Sequence, residues 1–352
     1  MRPYHVGIAG ATGLVGQRLV ARVAEHPWFR LAVVGASLRS SGGAYGDVTR
    51  WMLPDPIPAE AGALVVSGCT PADFDGCDLV LSALDAPVAS EVEPQLARAG
   101  LAVVSNSSAL RMAEDVPLIV PEVNAGSVVR IAARAASGFV VTNPNCSVTG
   151  LALALAPLDR AFGVSRVVVT TLQAVSGAGL GGPRAVELLD NVVPYIAGEE
   201  EKIEIELGKI LGRATAERFE PATIAVSAHC NRVPTLDGHL ETVSVELDRS
   251  TSPEDAMAAL ASFRGDVFGL DLPTAPRFPI VVRREPDRPQ PRLDRDCNAG
   301  MSVVVGRVRP CPVLTLRFVL LSHNMVRGAA GGALLNAELL AARGLLPRRS
   351  GA

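Results

Sequence analysis

The stretch "YHVGIAGATGLVGQRLVARVAEH", residues 4–26, decides the fold, because an apolar run leads through a glycine-rich turn into helical apolar spacing. Glycines at such a strand-to-helix turn let the backbone approach a pyrophosphate, whose charge the helix N-terminus stabilises. An ordinary glycine-rich βα turn is the alternative. We predict nucleotide binding by the whole turn, which consists of Gly10, Ala11, Thr12, Gly13, Leu14, Val15 and Gly16.

The segment after the second predicted strand bears on the choice of cofactor. An NAD site normally carries an acidic residue about 20 residues beyond the glycines, where it holds the ribose 2′-hydroxyl. Here the segment reads "VVGASLRSSGG" and supplies Ser37, Arg39, Ser40 and Ser41 but no acid. Hydroxyl groups and one guanidinium suit a 2′-phosphate, so the segment favours NADP. The alternative is a solvated Ser/Gly loop.

Bulk composition excludes several classes of partner. The 352 residues are 48% hydrophobic and 20% charged, which is typical of a globular protein of two domains. A net charge of −3 offers no excess of basic side chains for nucleic acid or an anionic membrane. Since the chain also has no uninterrupted apolar run of about 18 residues, we expect no membrane span. A small-molecule ligand is the expectation.

The six cysteines lie far apart in the sequence, without the close pairs of a disulfide framework or a zinc site. We therefore expect reduced thiols in a cytoplasmic protein, and no bound metal.

The order of predicted elements indicates an α/β protein. Short apolar runs alternate with helical segments up to residue 143, which predicts a doubly wound Rossmann-type domain over residues 1–145. Longer extended segments then predict an α+β domain with a mostly antiparallel sheet over residues 146–322, including a helix within "PRAVELLDNVVPYI". The helical pattern of residues 323–352 is interpreted as a return to the first domain.

A chemical site is indicated where the strand-like "VVTN" meets the helix-like "CSVTGLALALAPL". Cys146 begins that helix, where free backbone N–H groups and the helix dipole favour a thiolate. A structural buried cysteine is the alternative. Downstream, "CNRVPTLDGHLE" offers Arg232, which suits a carboxylate, and His239, which suits general acid–base work.

These motifs together resemble the aspartate-semialdehyde dehydrogenase family, in its archaeal and fungal branch, over nearly the whole length. The matching pieces are "GATGLVG", "SNSSALRM", "PNC", "LQAVSGAG", "NVVPYIAGEEEK", "CNRVP" with "GH", "RPQPRLDRD" and "NMVRGAAGGALLNAE". The resemblance implies a fold like that of glyceraldehyde-3-phosphate dehydrogenase, a catalytic and dimerisation role for the second domain, and a homodimer or homotetramer.

The resemblance also implies a reaction. Cys146 would attack the acyl phosphate of 4-phospho-L-aspartate and form a thioester, which NADPH would reduce to L-aspartate 4-semialdehyde, in the biosynthesis of lysine, threonine, methionine and isoleucine. His239 would shuttle the proton, and Gln173 would orient the substrate.

Further site residues follow from the same resemblance. Arg232 would bind the substrate carboxylate, Glu199 its amino group, and Arg111 and Lys202 the phosphate. Asn145 is a further candidate for substrate binding. The cofactor would also contact Ser82, Ala83, Ser176, Gly177, Asn324 and Arg327, the last two at the nicotinamide end.

Three alternatives stay open. A related acyl reductase, such as a malonyl-CoA reductase, would keep the same thiol and cofactor site, and a duplicate enzyme could serve a specialised pathway. N-acetyl-glutamyl-phosphate reductase is disfavoured by "GEEEK" and "RPQPRLDRD". A non-catalytic NADP-binding sensor would not need Cys146, Gln173, Arg232 and His239 together.

The choice of cofactor is testable with Arg39→Ala. If the guanidinium reads the 2′-phosphate, the substitution raises the KM for NADPH much more than the KM for NADH. Steady-state kinetics with both cofactors measure this, and an equal effect on the two would remove Arg39 from 2′-phosphate recognition.

Overall fold

The computed structural model describes residues 2–132 and 138–348. Its first sheet is parallel throughout, with the strand order β3-β2-β1-β4-β5-β6. Its strands are β1 (Tyr4–Ala9), β2 (Phe29–Gly35), β3 (Val66–Ser67), β4 (Leu79–Ser82), β5 (Ala102–Ser105) and β6 (Phe139–Thr142). This is the doubly wound order, and the predicted Rossmann-type sheet is confirmed.

The second sheet is mixed, with the order β10-β7-β11-β14-β13-β12. Within the described residues, the pairs β7–β11, β11–β14 and β13–β14 are antiparallel, and β7–β10 and β12–β13 are parallel. The remaining strands are β7 (Val164–Gln173), β8 (Arg213–Ala214), β9 (Phe219–Glu220), β10 (Ala225–Arg232), β11 (His239–Leu247), β12 (Ile280–Val282), β13 (Val303–Pro310) and β14 (Leu316–Ser322); β8 and β9 form a separate hairpin-like pair.

The α-helices vary from one turn to seventeen residues. They are α1 (Leu14–Ala24), α2 (Tyr45–Val48), α3 (Ala59–Gly62), α4 (Ala86–Arg98), α5 (Pro121–Asn124), α6 (Val129–Ala132), α7 (Cys146–Phe162), α8 (Ala185–Leu188), α9 (Glu199–Leu211), α10 (Pro253–Ser262), α11 (Pro291–Asp294) and α12 (Gly331–Ala342). None of the described helices has both the length and the hydropathy of a membrane span.

Helix α7 is the central helix of the second core. Its residues from Ser147 to Leu158 are all buried, and it packs against α9 and the inner face of the second sheet. Such a helix is apolar all round because it has protein on every side. Its first residue, Cys146, is half-buried and begins this buried helix.

Helix α12 packs against the first sheet, not the second. Its buried Ala333, Leu334 and Leu335 share one core cluster with Val6 of β1 and Leu19 of α1. The predicted boundaries after residues 145 and 322 remain predictions, and residues 349–352 of the predicted C-terminal segment lie outside the described residues.

The predicted helix in "PRAVELLDNVVPYI" is wrong beyond its first turn. Only α8 is helical, because Val193 instead exchanges two backbone hydrogen bonds with Arg232, of 3.0 and 2.8 Å. This bridge lengthens the edge of the second sheet, and it leaves Val186 and Tyr195 at 80% and 67% exposure.

The packing of α7 predicts the outcome of Gly150→Ala. Alanine normally favours a helix interior over glycine by about 0.5–1 kcal/mol, but a Cβ at this position would lie 2.7 Å from Cβ of Ser322 in β14. Overpacking costs about 1–3 kcal/mol, so the substitution lowers the free energy of unfolding. Urea denaturation measures it.

The matched control is Gly126→Ala, where a Cβ meets nothing within 4 Å. This variant is expected to be at least as stable as the parent protein. A stabilised Gly150→Ala variant would contradict the close approach of α7 to β14.

Candidate active site

The glycine-rich turn lies where the strand order reverses, between β1 and β4. Gly10 has φ +81°, and a Cβ there would lie 2.7 Å from the carbonyl oxygen of Ala83. At Gly16 a Cβ would lie 2.1 Å from the Gly10 carbonyl oxygen, whereas at Gly13 its nearest neighbour is 3.5 Å away. The first and third glycines thus allow close packing, and the second leaves room for a ligand at the start of α1.

The other cofactor residues predicted in the first domain lie at the same edge of the first sheet, near the ends of β1, β2 and β4. Ser82 ends β4, and Ala83 donates its backbone N–H to Ala9 at the end of β1. In the loop after β2, Ser37, Arg39 and Ser41 are exposed and Ser40 is half-buried. Within the described residues Arg39 has no hydrogen bond or ion pair, so its guanidinium is free to meet a phosphate.

The nucleophile candidate lies beside the predicted base. Sγ of Cys146 is 3.2 Å from Nε2 of His239, although 93 residues separate them in the sequence. Cys146 is half-buried at the first turn of α7, and His239 begins β11 with 0% exposure. The backbone N–H of Ala174 donates to Nδ1 of the same imidazole at 3.0 Å.

Burial shifts the pKa values of both members of this pair toward their neutral forms. Burial raises the pKa of the Cys146 thiol to about 12, and the nearby Glu199 adds to the rise while Arg111 and Arg232 oppose it. Burial, and then the charge of Arg232, lowers the pKa of His239 to about 3. Burial thus opposes the thiolate predicted at the helix N-terminus, and the thiolate stays a prediction.

The first free backbone N–H groups of α7 already have a side-chain partner. Oδ1 of Asn145 accepts from the backbone N–H groups of Ser147 and Val148, at 2.9 and 3.3 Å, and so caps α7. Nδ2 of Asn145 donates to Glu199 at 2.8 Å. Asn145, predicted to bind substrate, thus joins the start of α7 to the start of α9.

Glu199 is the centre of a polar cluster with Asn145, Lys202 and Gln173. Lys202 forms an ion pair with it at 2.8 Å, and Nε2 of Gln173 donates to it at 3.3 Å. Burial opposes ionisation, but these donors outweigh it and lower the pKa of Glu199. The carboxylate therefore stays charged, as a partner for a cationic group of a ligand must.

Arg111 is buried and held by three acceptors. It contacts Glu206 at 3.0 Å and the carbonyl oxygens of Asn143 and Asn106 at 3.0 and 2.8 Å. Sequence reasoning missed Glu206, which also accepts from the backbone N–H of Asn145 at 2.7 Å. The signal was present, because Glu206 lies seven residues after Glu199 and hence on the same face of α9.

Arg232 ends β10 and approaches the imidazole from the other side. Its Nη1 donates to the Ala174 carbonyl at 2.7 Å. A Cβ at Gly177 would lie 3.0 Å from that nitrogen and 3.2 Å from Cε1 of His239, so the predicted cofactor residue Gly177 lies directly against the catalytic pair. A Cβ at Gly328 would likewise lie 2.6 Å from Cβ of Cys146.

Asn324 and Ser176 lie together, as their shared cofactor prediction requires. Nδ2 of Asn324 donates to Oγ of Ser176 at 2.8 Å, and Oδ1 accepts from the backbone N–H of Gly238 at 2.8 Å. These bonds connect the turn before His239 to the short 3₁₀ helix Val175–Ala178.

Arg327, which is predicted at the nicotinamide end of the cofactor, is paired with a buried carboxylate. Its side chain is completely buried, and two of its nitrogens donate to the two carboxylate oxygens of Glu122, each at 2.6 Å. A carboxylate that contacts a guanidinium through both oxygens compensates the burial of its charge, so this pair has a structural role. The match of the motif in sequence could not reveal this partner, which lies 205 residues away.

Glu241 is a second buried acid that the sequence did not single out. Its carboxyl group has no hydrogen-bond partner among the described residues, and burial raises its pKa well above the usual value. No group of three or more His, Cys, Asp or Glu side chains in the described part of the chain could hold a metal.

The Rossmann-type sheet and a cysteine–histidine pair on a mixed sheet together define the class of semialdehyde dehydrogenases. The model of the family's NAD-binding domain matches residues 5–131, and the model of its dimerisation domain matches residues 155–327. A curated aspartate-semialdehyde dehydrogenase of Archaeoglobus fulgidus is 48% identical over 341 residues, with 96% of this chain and 98% of that protein covered.

Two fungal relatives agree. The aspartate-semialdehyde dehydrogenase of Saccharomyces cerevisiae is 42% identical over 358 residues, covering 97% of this chain and 98% of that protein. The crystal structure of the Candida albicans enzyme with NADP has a TM-score of 0.91 at 41% identity, covering 98% of this chain and 100% of that one. The chain belongs to the aspartate-semialdehyde dehydrogenase family.

The placement of Arg327 predicts a loss of stability for Arg327→Met. Breaking a buried pair leaves Glu122 charged and unpaired, which costs about 3–5 kcal/mol in the free energy of unfolding. Adding Glu122→Gln recovers part of this cost, because the second variant removes the buried charge. Urea denaturation of the two variants measures both effects.

Steady-state kinetics can contradict this prediction. An Arg327→Met variant with unchanged stability and a raised KM for NADPH would restore the cofactor role to Arg327.

Proposed function

We propose that this protein catalyses the NADPH-dependent reductive dephosphorylation of 4-phospho-L-aspartate to L-aspartate 4-semialdehyde. The contact of 3.2 Å between Sγ of Cys146 and Nε2 of His239 carries the proposal, because an acyl reductase needs a cysteine and a histidine together. The relatives bearing this activity in their names match nearly the whole chain.

The charges around the sulfur fit the substrate. An acyl phosphate with a carboxylate and an amine needs two cationic contacts and one anionic contact near the nucleophile. In this proposal Arg232 binds the carboxylate, Glu199 the amine, and Arg111 with Lys202 the phosphate. Gln173, which contacts Glu199, orients the bound substrate, and Asn145 holds Glu199 in place.

NADP is the cofactor that the first domain fits best. The turn from Gly10 to Gly16 has the open approach for a pyrophosphate, and Arg39 is available for the 2′-phosphate. NADPH supplies the hydride. In this proposal Ser176, Gly177 and Asn324 position the nicotinamide end, since Gly177 lies against His239 and Asn324 joins Ser176 to Gly238. The ion pair of Arg327 argues against a direct contact.

We further propose a homodimer formed through the second domain, whose family model is described as a dimerisation domain. Exposed apolar side chains support this, with Val168 on the outer face of the sheet and Val186 and Tyr195 beside its edge. Six free cysteines are consistent with a cytosolic enzyme. The product would enter the biosynthesis of lysine, threonine, methionine and isoleucine.

The activity is testable in the reverse direction. Purified protein with L-aspartate semialdehyde, phosphate and NADP⁺ is expected to generate the absorbance of reduced nicotinamide. Cys146→Ala removes the nucleophile and abolishes this signal, and Cys311→Ala, at a half-buried cysteine outside the site, serves as the matched control with unchanged turnover.

A panel of acyl donors separates the proposal from its rival. Turnover with malonyl-CoA and none with the semialdehyde would assign the protein as a malonyl-CoA reductase. Loss of activity in Cys311→Ala, with retention in Cys146→Ala, would transfer the nucleophile to another site.

A further inference from the structure

Lysine is rare in this chain, and both lysines lie on one helix. Of the 33 lysine and arginine residues, only Lys202 and Lys209 are lysines, and both belong to α9. An ammonium is compact and carries three N–H donors on one nitrogen, whereas a guanidinium spreads its donors over a plane. Lys202 pairs with Glu199 in the candidate active site, whereas Lys209 has different partners.

The Lys209 ammonium is surrounded by backbone carbonyl groups. Its Nζ donates to the carbonyl oxygens of Arg111, Ala113 and Val116, at 2.7, 2.8 and 2.8 Å. Lys209 is buried, and its Nζ lies 4.7 Å from the centre of the Phe219 ring. The three donors of the ammonium are thus matched by three acceptors, all from the loop between β5 and α5.

The conformation of this loop depends on the cation inside it. The three carbonyl oxygens carry like partial charges, and they lie close together only because each contacts the same ammonium nitrogen. Without Lys209, the buried carbonyls of Arg111 and Val116 would lose this donor. A planar guanidinium does not reproduce three donors on one nitrogen. The segment "RMAEDV", residues 111–116, is therefore held in place by an ammonium in particular.

Helix α9 holds Arg111 at both of its ends. The guanidinium of Arg111 contacts Glu206 at 3.0 Å, and its backbone carbonyl accepts from Lys209. Glu206 and Lys209 are three residues apart, so they lie on the same face of the helix. One rigid helix therefore fixes the backbone and the side chain of Arg111 together.

The contacts of Arg111 leave donors for a ligand. A guanidinium has five N–H groups, and three of them donate to Glu206 and to the carbonyls of Asn143 and Asn106. Among the described residues, one N–H group on Nη1 and one on Nη2 have no acceptor. Two N–H groups on neighbouring nitrogens can bind a phosphate through two oxygens. Their direction depends on the loop and hence on Lys209.

We propose that Lys209 is a positioning residue for phosphate: its ammonium gathers the carbonyl groups of residues 111–116 and so orients the free N–H groups of Arg111 toward the phosphate of the substrate. This inference rests on the proposed function, in which Arg111 binds that phosphate. Lys209 itself makes no contact with the substrate, so its removal affects phosphate and not the other substrates.

Lys209→Met tests the proposal in the reverse reaction, because methionine keeps an apolar stem and removes all three donors. We expect kcat/KM for inorganic phosphate to fall about 10–100-fold, as when a charge-assisted hydrogen bond is lost. The KM values for the semialdehyde and NADP⁺ stay close to those of the parent protein. A loss shared by all three substrates, or no loss for phosphate, would overturn the proposal.

The matched control is Glu201→Gln, which removes a charge from the exposed face of the same helix and is expected to leave the kinetics unchanged. Lys209→Arg keeps the charge but not the three convergent donors, so its phosphate efficiency is expected to lie between those of the parent and Lys209→Met. Parent kinetics in Lys209→Arg would overturn the proposal. If Lys209→Met does not fold, Lys209→Gln is measured for the same selective loss.

A double substitution shows whether Lys209 acts through Arg111. In the Arg111→Met background, adding Lys209→Met is expected to leave kcat/KM for phosphate nearly unchanged, because the group that Lys209 positions is already absent. A structural role independent of Arg111 would instead produce the same fold-loss in both backgrounds, and this result would overturn the proposal.

Nitrogen NMR tests the lysine contacts without turnover, since ¹⁵N-lysine labelling marks only two side chains. Burial, and then the charge of Arg130, lowers the pKa of Lys209 to about 8, so the spectra are recorded well below that pH. In Lys202→Arg the one remaining signal belongs to Lys209, and we expect an ammonium that exchanges slowly with solvent. Rapid exchange would overturn the proposal. Absence of turnover in the parent protein with every acyl donor would refute the proposed function, and the NMR result would still decide whether Lys209 is enclosed.

Discussion

The hydrogen bonds of Asn145 are the constraint on which the active site depends. Its side chain caps α7 and donates to Glu199, and its backbone N–H donates to Glu206. Helices α7 and α9 are thereby held at one angle, with Cys146 one residue after the cap. Glu206 also forms an ion pair with Arg111, the residue predicted to bind the phosphate. The same pair of helices therefore supports both Arg111 and the nucleophile Cys146.

Burial sets the charges of the site group by group. Burial raises the pKa of Cys146 and of Glu241 and lowers that of His239, so it disfavours the charged form of all three groups. Glu199 stays ionised because Lys202 and two amides donate to it. The site thus combines a charged carboxylate with groups whose charged forms burial disfavours.

Local patterns predicted what depends on neighbours in sequence. The glycine turn, the start of α7 at Cys146 and the alternation of the first domain are short-range features, and the structure has them as expected. The helix predicted across Val193 was wrong because pairing with Arg232 overrides local propensity. The partner of Arg327 could not be predicted for a similar reason, since Glu122 is distant in the chain.

The sequence by itself determined the elements, the cofactor turn and the identity of the chemical groups, because these follow from periodicity and residue type. Only the tertiary structure decided their protonation and their partners. Desolvation and contacts between residues far apart in the chain decide whether a thiol ionises, which imidazole nitrogen carries the proton and which guanidinium is free. The backbone N–H of Ala174 is the clearest case, because every residue type but proline supplies one and only the fold aims it at His239.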